Sequence, residues 1–87
     1  MSVEQAISEL REAGFVVNRK EAGMIMGAAR PPDPTKPLGD DEIFYICSYP
    51  GDIWCAQFRA GQQTPIVKVS RNIMEAVQAV LHYFDER

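Results

Sequence analysis

Apolar and polar positions alternate in two distinct rhythms along the chain. Val3, Ala6, Ile7 and Leu10 recur at helical spacing and make one stripe. Ser2 followed by Gln5 has the form of a capping box, in which the hydroxyl and the amide side chain each answer an orphan backbone group. Glu4 falls in the first turn, where the helix dipole favours negative charge. Gly14 supplies the left-handed conformation that commonly ends a helix. The spacing therefore predicts an N-terminal amphipathic helix whose stripe is core.

The rhythm then changes to that of strands. Phe15–Lys20 and Met24–Ala29 are expected to pair as a hairpin, although Gly and Ala make the second a weak strand former. Residues 31–41, PPDPTKPLGDD, break the pattern. Four prolines in seven residues remove backbone donors and fix φ, so this stretch reads as a stiff, Pro-rich surface loop. Its Pro-x-x-Pro spacing also fits a polyproline ligand, the lesser reading. Asp40, Asp41 and Glu42 follow as a solvated charge run, without the alternating ligands of a calcium loop.

Ile43–Tyr49 and Ile53–Arg59 carry the clearest strand signal, separated by the turn residues Pro50 and Gly51. Ala60-Gly61 marks another turn, and Pro65–Val69 a last strand with its proline at the start. A second amphipathic helix closes the chain. Asn72 is its expected N-cap, with Ser70 as competitor. Ile73, Val77, Val80, Leu81 and Phe84 form its stripe, opposite Glu75, Gln78, His82 and Asp85. The expected fold is α+β in two layers. An antiparallel sheet of four to five strands carries an N-terminal and a C-terminal helix on one face, in α-β-β-β-β-β-α order.

Register decides which side chains share a face. A three-residue loop Pro50-Gly51-Asp52 sets Tyr49 opposite Ile53. Phe44, Ile46, Trp54, Ala56 and Phe58 then face the helices, joined in this reading by Val67 and Val69. Trp54 is expected to be largely buried against Phe44 and Phe58. The other face carries Ile43, Tyr45, Cys47, Tyr49, Ile53, Cys55, Gln57 and Arg59, and no helix is left to cover it. An apolar patch of this kind marks a partner site, unless the Pro-rich loop folds back over it. Tyr45, Cys47, Tyr49, Ile53, Cys55 and Arg59 are the candidate interface.

The length of 87 residues corresponds to one domain, residues 1–87. Nine Lys and Arg against twelve Asp and Glu give a net charge of −3, and the basic residues are scattered, which disfavours nucleic acid and membrane surfaces. No run approaches the ~18 apolar residues of a spanning helix. The first residues lack a basic region followed by an apolar stretch, so a cytoplasmic location is expected. Two cysteines are too few for a disulfide scaffold, and with one histidine a tetrahedral zinc site lacks ligands.

No phosphate loop, dinucleotide fingerprint or nucleophile elbow is present. His82 falls on the polar face of its helix, away from either thiol. No catalytic residue, cofactor, metal or small-molecule substrate is therefore expected. The leading expectation is a non-catalytic protein–protein interaction or adaptor module that forms a homodimer or binds another protein. The alternative is a single-stranded nucleic-acid-binding domain, with Tyr45 and Tyr49 stacking bases and Arg59, Lys68 and Arg19 following the backbone. A third reading, an inhibitor or adaptor for a basic partner, rests on the acidic loops alone.

Overall fold

A computed structural model of the chain describes residues 2–21, 23–39, 42–58 and 66–85. The elements run α1 (Val3–Glu12), β1 (Val16–Glu21), β2 (Met24–Ala28), β3 (Ile43–Tyr49), β4 (Ile53–Phe58), β5 (Ile66–Ser70) and α2 (Ile73–Asp85). The five strands form one open antiparallel sheet in sequence order. Every strand lies beside its sequence neighbour, as short connections favour.

Local chemistry sets the helix starts. The Gln5 amide donates to Ser2 Oγ at 3.1 Å, and Gln5 Oε1 accepts from the Ser2 amide at 2.9 Å, closing the expected capping box. At α2, Asn72 Oδ1 accepts from the Glu75 amide at 2.9 Å, so Asn72 is the cap. Gly14 ends the first helix region with a φ of 99°. In the β3–β4 hairpin Gly51 and Asp52 take φ of 86° and 57°. That turn leaves Pro50, Gly51 and Asp52 as the loop and pairs Tyr49 with Ile53, the expected register.

Both helices lie on one face of the sheet. Ala6, Ile7 and Leu10 from α1 and Ile73, Ala76, Val77 and Val80 from α2 form one core with Val17, Ile25, Phe44, Ile46, Ala56 and Phe58. Each fully buried aliphatic or aromatic side chain contributes ~1.5–3 kcal/mol by leaving water, so this cluster holds the two layers together. Tyr83, which the stripe of α2 omitted, stacks on Phe58 with ring centroids 4.1 Å apart. Phe15 and Phe84 extend the aromatic group around Phe44. Arg11 donates to the Val17 carbonyl at 2.9 Å and Arg19 pairs with Glu4 at 2.7 Å, tying α1 to β1.

Two expectations need correction. Val67 and Val69 do not join the helix-covered face. Gln57 pairs with Val67 and Cys55 with Val69, so both valines share the uncovered face. Strand alternation separates Val67 and Val69 from Lys68, but it does not say which set faces the helices. Trp54 does lie on the helix-covered side, opposite Ser48 and Ser70, yet it is only half-buried. It sits at the end of the sheet, where it shares a notch with Val3 and Ile73 at the starts of both helices. Phe44 and Phe58 lie two rows further along the sheet.

Candidate functional site

The uncovered face is built row by row across the strands. One row runs Asn18, Met26, Tyr45, Gln57, Val67 through all five strands. The next holds Met24, Cys47, Cys55 and Val69, and the last described row pairs Tyr49 with Ile53. Val16, Ala28 and Ile43 make the opposite corner. Five of the six expected interface residues are thus on one face: Tyr45, Cys47, Tyr49, Ile53 and Cys55. The sixth, Arg59, lies outside the described residues, as do Asp40, Asp41, the Ala60-Gly61 turn and Pro65.

Exposure along this face is uneven. Tyr49 (47%), Ile53 (38%), Val67 (48%) and Val69 (70%) stand open to solvent. Met24, Met26, Ile43 and Tyr45 are half-buried among their neighbours. Cys47 and Cys55 are buried although no helix covers them, at 8% and 7% exposure. Met24 and Val69 flank them in the row, and the Tyr49 side chain reaches across it. Gln57 Nε2 donates to the Tyr49 hydroxyl at 3.5 Å, a long and weak bond. Tyr49 and Gln57 sit in rows on either side of the cysteine row, so the bridge passes over it. Burial, then the neighbouring Cys55 charge, pushes the Cys47 thiol above its ordinary ionisation range.

The Pro-rich loop covers one corner only. Ala29 donates to the Glu42 carbonyl at 2.8 Å, and Arg30 grips the Glu42 carboxylate at 2.6 and 3.1 Å, closing the loop at its base. Glu42 Oε1 also accepts from the Gly39 amide at 3.1 Å, and Arg30 Nη2 donates to the Pro37 carbonyl at 3.2 Å. At the tip, Asp33 Oδ1 accepts from the Thr35 amide and hydroxyl, which holds its carboxyl pKa below the ordinary value. Pro32 and Leu38 then share a small cavity of about 90 Å³ with Val16, Met26, Ala28 and Ile43. The loop therefore closes over the Ala28 corner and leaves Tyr49, Ile53, Val67 and Val69 uncovered.

Among the described residues of the rows above none is Asp, Glu, Lys, Arg or His. Glu21, opposite Met24 beyond the irregularity in β1, stands at the margin. Arg19 and Lys68, which the nucleic-acid reading put beside Tyr45 and Tyr49, pair with Ile25 and Ala56 and so belong to the helix side. Among the described residues no group of three or more His, Cys, Asp or Glu side chains is arranged to hold a metal ion. None of their helices is long and apolar enough to cross a membrane.

Sequence reasoning missed Met24, Met26, Val67 and Val69 as members of this face. The alternation in Val67-Lys68-Val69 pointed to one apolar side of β5. Comparison with family models, with curated proteins and with solved structures returned no significant match to this chain.

Proposed function

We propose that this chain is a small, non-catalytic protein–protein interaction module that self-associates through the uncovered face of its sheet. One observation carries the reading. Among the described residues, the four large apolar side chains exposed on the sheet, Tyr49, Ile53, Val67 and Val69, stand on the face opposite the helices. Contiguous apolar surface of this kind marks a contact site, and tyrosine adds area with a polar handle.

Charge favours a second copy as the partner. The chain carries −3 overall, yet the described rows of this face hold no Asp, Glu, Lys, Arg or His, and Glu21 stands at their margin. Two such sets of rows meet without like-charge repulsion, and their apolar side chains suit an uncharged partner surface better than a charged one. Size is compatible too. Five strands ~4.8 Å apart and about six residues of ~3.3 Å make roughly 500 Å² per copy, or ~1,000 Å² in a two-fold dimer, the lower bound for a specific interface. The free thiols suit a reducing compartment, so the cytoplasm is the proposed location. His82 is exposed on α2, across the sheet from both thiols, which supports a non-catalytic reading.

Light scattering on the reduced chain at micromolar concentration tests the proposal. The expected particle has twice the chain mass, and Val69→Lys returns it to one. Val69 is 70% exposed, so that substitution leaves the core untouched. A wild-type particle of 9.8 kDa at every concentration overturns the reading. Dissociation of the wild-type dimer by salt alone overturns an apolar interface, because screening weakens charged contacts and not apolar ones.

A further inference from the structure

Cys47 and Cys55 are direct Cα partners on the two central strands of the uncovered face, and both are free thiols. Directly opposed residues of an antiparallel pair have Cα atoms ~4.5 or ~5.5 Å apart, depending on the hydrogen-bonding of the pair. A disulfide spans Cα separations of ~4.4–6.8 Å. Either kind of pair therefore admits a sulfur–sulfur bond with little backbone movement. Strand alternation also points both side chains to the same side of the sheet.

We propose that Cys47 and Cys55 form a reversible cross-strand disulfide in the unassociated chain, and that self-association through the same face keeps them reduced. The second half rests on the interface reading above; the first does not. The oxidant is a low-molecular-weight disulfide such as oxidised glutathione. One cysteine thiolate attacks a sulfur of the oxidant, forming a mixed disulfide and releasing one glutathione thiolate. The second cysteine loses its proton and displaces the remaining glutathione. Two protein thiols give up two electrons and two protons, and one small disulfide becomes two thiols.

Two covers regulate access. In the single chain the Tyr49–Gln57 bridge lies over the thiols and leaves 8% and 7% exposure, so reaction is slow. In the dimer the partner's face lies over Tyr49, and the oxidant is excluded. Oxidation then draws on the free chain alone. Where about nine-tenths of the chains are paired, the rate falls about tenfold, in proportion to the free fraction.

The test uses the full chain, oxidised glutathione and intact-mass measurement after acid quenching. In nanomolar solution the expected product has lost two hydrogens, and Cys47→Ser and Cys55→Ser each stop at a glutathione adduct. Wild type that stops at an adduct, or that stays reduced, overturns the disulfide. The same reaction is then run at concentrations where light scattering shows dimers. Slowing in wild type, with no slowing in monomeric Val69→Lys, supports protection by association. An unchanged rate in a dimeric solution overturns protection and leaves the disulfide standing. Scattering that shows only monomers overturns the interface, and with it protection, while the mass result still decides the disulfide.

Discussion

Gly27 and Phe44 are Cα partners on β2 and β3, and the phenylalanine ring occupies the space where a side chain at Gly27 would stand. A Cβ built at Gly27 lies 2.6 Å from Phe44 Cε1, well inside van der Waals contact. Phe44 is itself fully buried, and its ring meets those of Phe15 and Phe84. The absent side chain on β2 thus leaves room for the Phe44 ring of β3 beneath the helices.

Gly27→Ala is accordingly expected to destabilise the chain by ~1–3 kcal/mol through overpacking. The cost is shared with Phe44. Gly27→Ala combined with Phe44→Leu should cost less than the sum of the two single changes, because the smaller side chain vacates the methyl's space. Urea unfolding of the four variants of the cycle measures the coupling. Strict additivity would show that the ring does not constrain Gly27.

The weak strand signal of Met24–Ala28 has the same origin. Glycine lowers strand propensity, and propensity alone does not register that a neighbouring ring needs the room. The β3–β4 register was readable because Pro50, Gly51 and Asp52 dictate a three-residue loop, and the loop dictates the faces. The faces of β5 were not. Residues 59–65 separate β5 from β4, and alternation by itself leaves its phase open. Hydrophobicity sent Val67 and Val69 to the core, whereas pairing with Gln57 and Cys55 sends them to the open face. That the five described candidate residues on β3 and β4 share one face followed from the hairpin, and the burial of Cys47 and Cys55 did not, since a long side chain such as Tyr49 reaching across a row has no signature in spacing.

The Arg30–Glu42 pair closes the base of the Pro-rich loop, with both side chains about two-thirds buried (34% and 27% exposed). Glu42→Gln keeps the shape and removes the charge. The expected result is faster cleavage of residues 31–39 by a broad-specificity protease, with a change of only ~1 kcal/mol in global stability. Cleavage at the wild-type rate would mean that the prolines alone hold the loop.

The Cys47 thiol has its pKa raised, by burial first and by Cys55 second. The folded chain therefore favours the protonated thiol more than the unfolded chain does. Its contribution to stability is fully present below the ordinary thiol value of ~8.5 and is lost as pH rises through the higher folded value. Stability should thus decline on the alkaline side, and Cys47→Ser should flatten that decline. Alkylation of Cys47 in a Cys55→Ser chain should still lag a free cysteine as pH is raised, because burial remains. A lag that vanishes in that variant would assign the whole effect to Cys55.

Trp54 separates the two faces of the sheet experimentally. It lies on the helix-covered side, but at the end where α1 and α2 begin, in a notch with Val3 and Ile73. Half-burial there implies that Trp54→Ala costs about 2 kcal/mol, less than the ~3–5 kcal/mol typical of a fully buried aromatic ring. Phe58, fully buried and stacked on Tyr83, supplies the internal comparison, and Phe58→Ala should cost clearly more. Because Trp54 is on the side away from Tyr49 and Val69, its removal should leave the dissociation constant of the proposed dimer within about twofold once the folded fraction is accounted for. Its fluorescence should be quenched partially by iodide, and equally in the proposed wild-type dimer and in Val69→Lys. If association instead shields the tryptophan from iodide, the contact surface includes the helix-covered end of the sheet, and the interface does not lie on the face of Tyr49 and Val69.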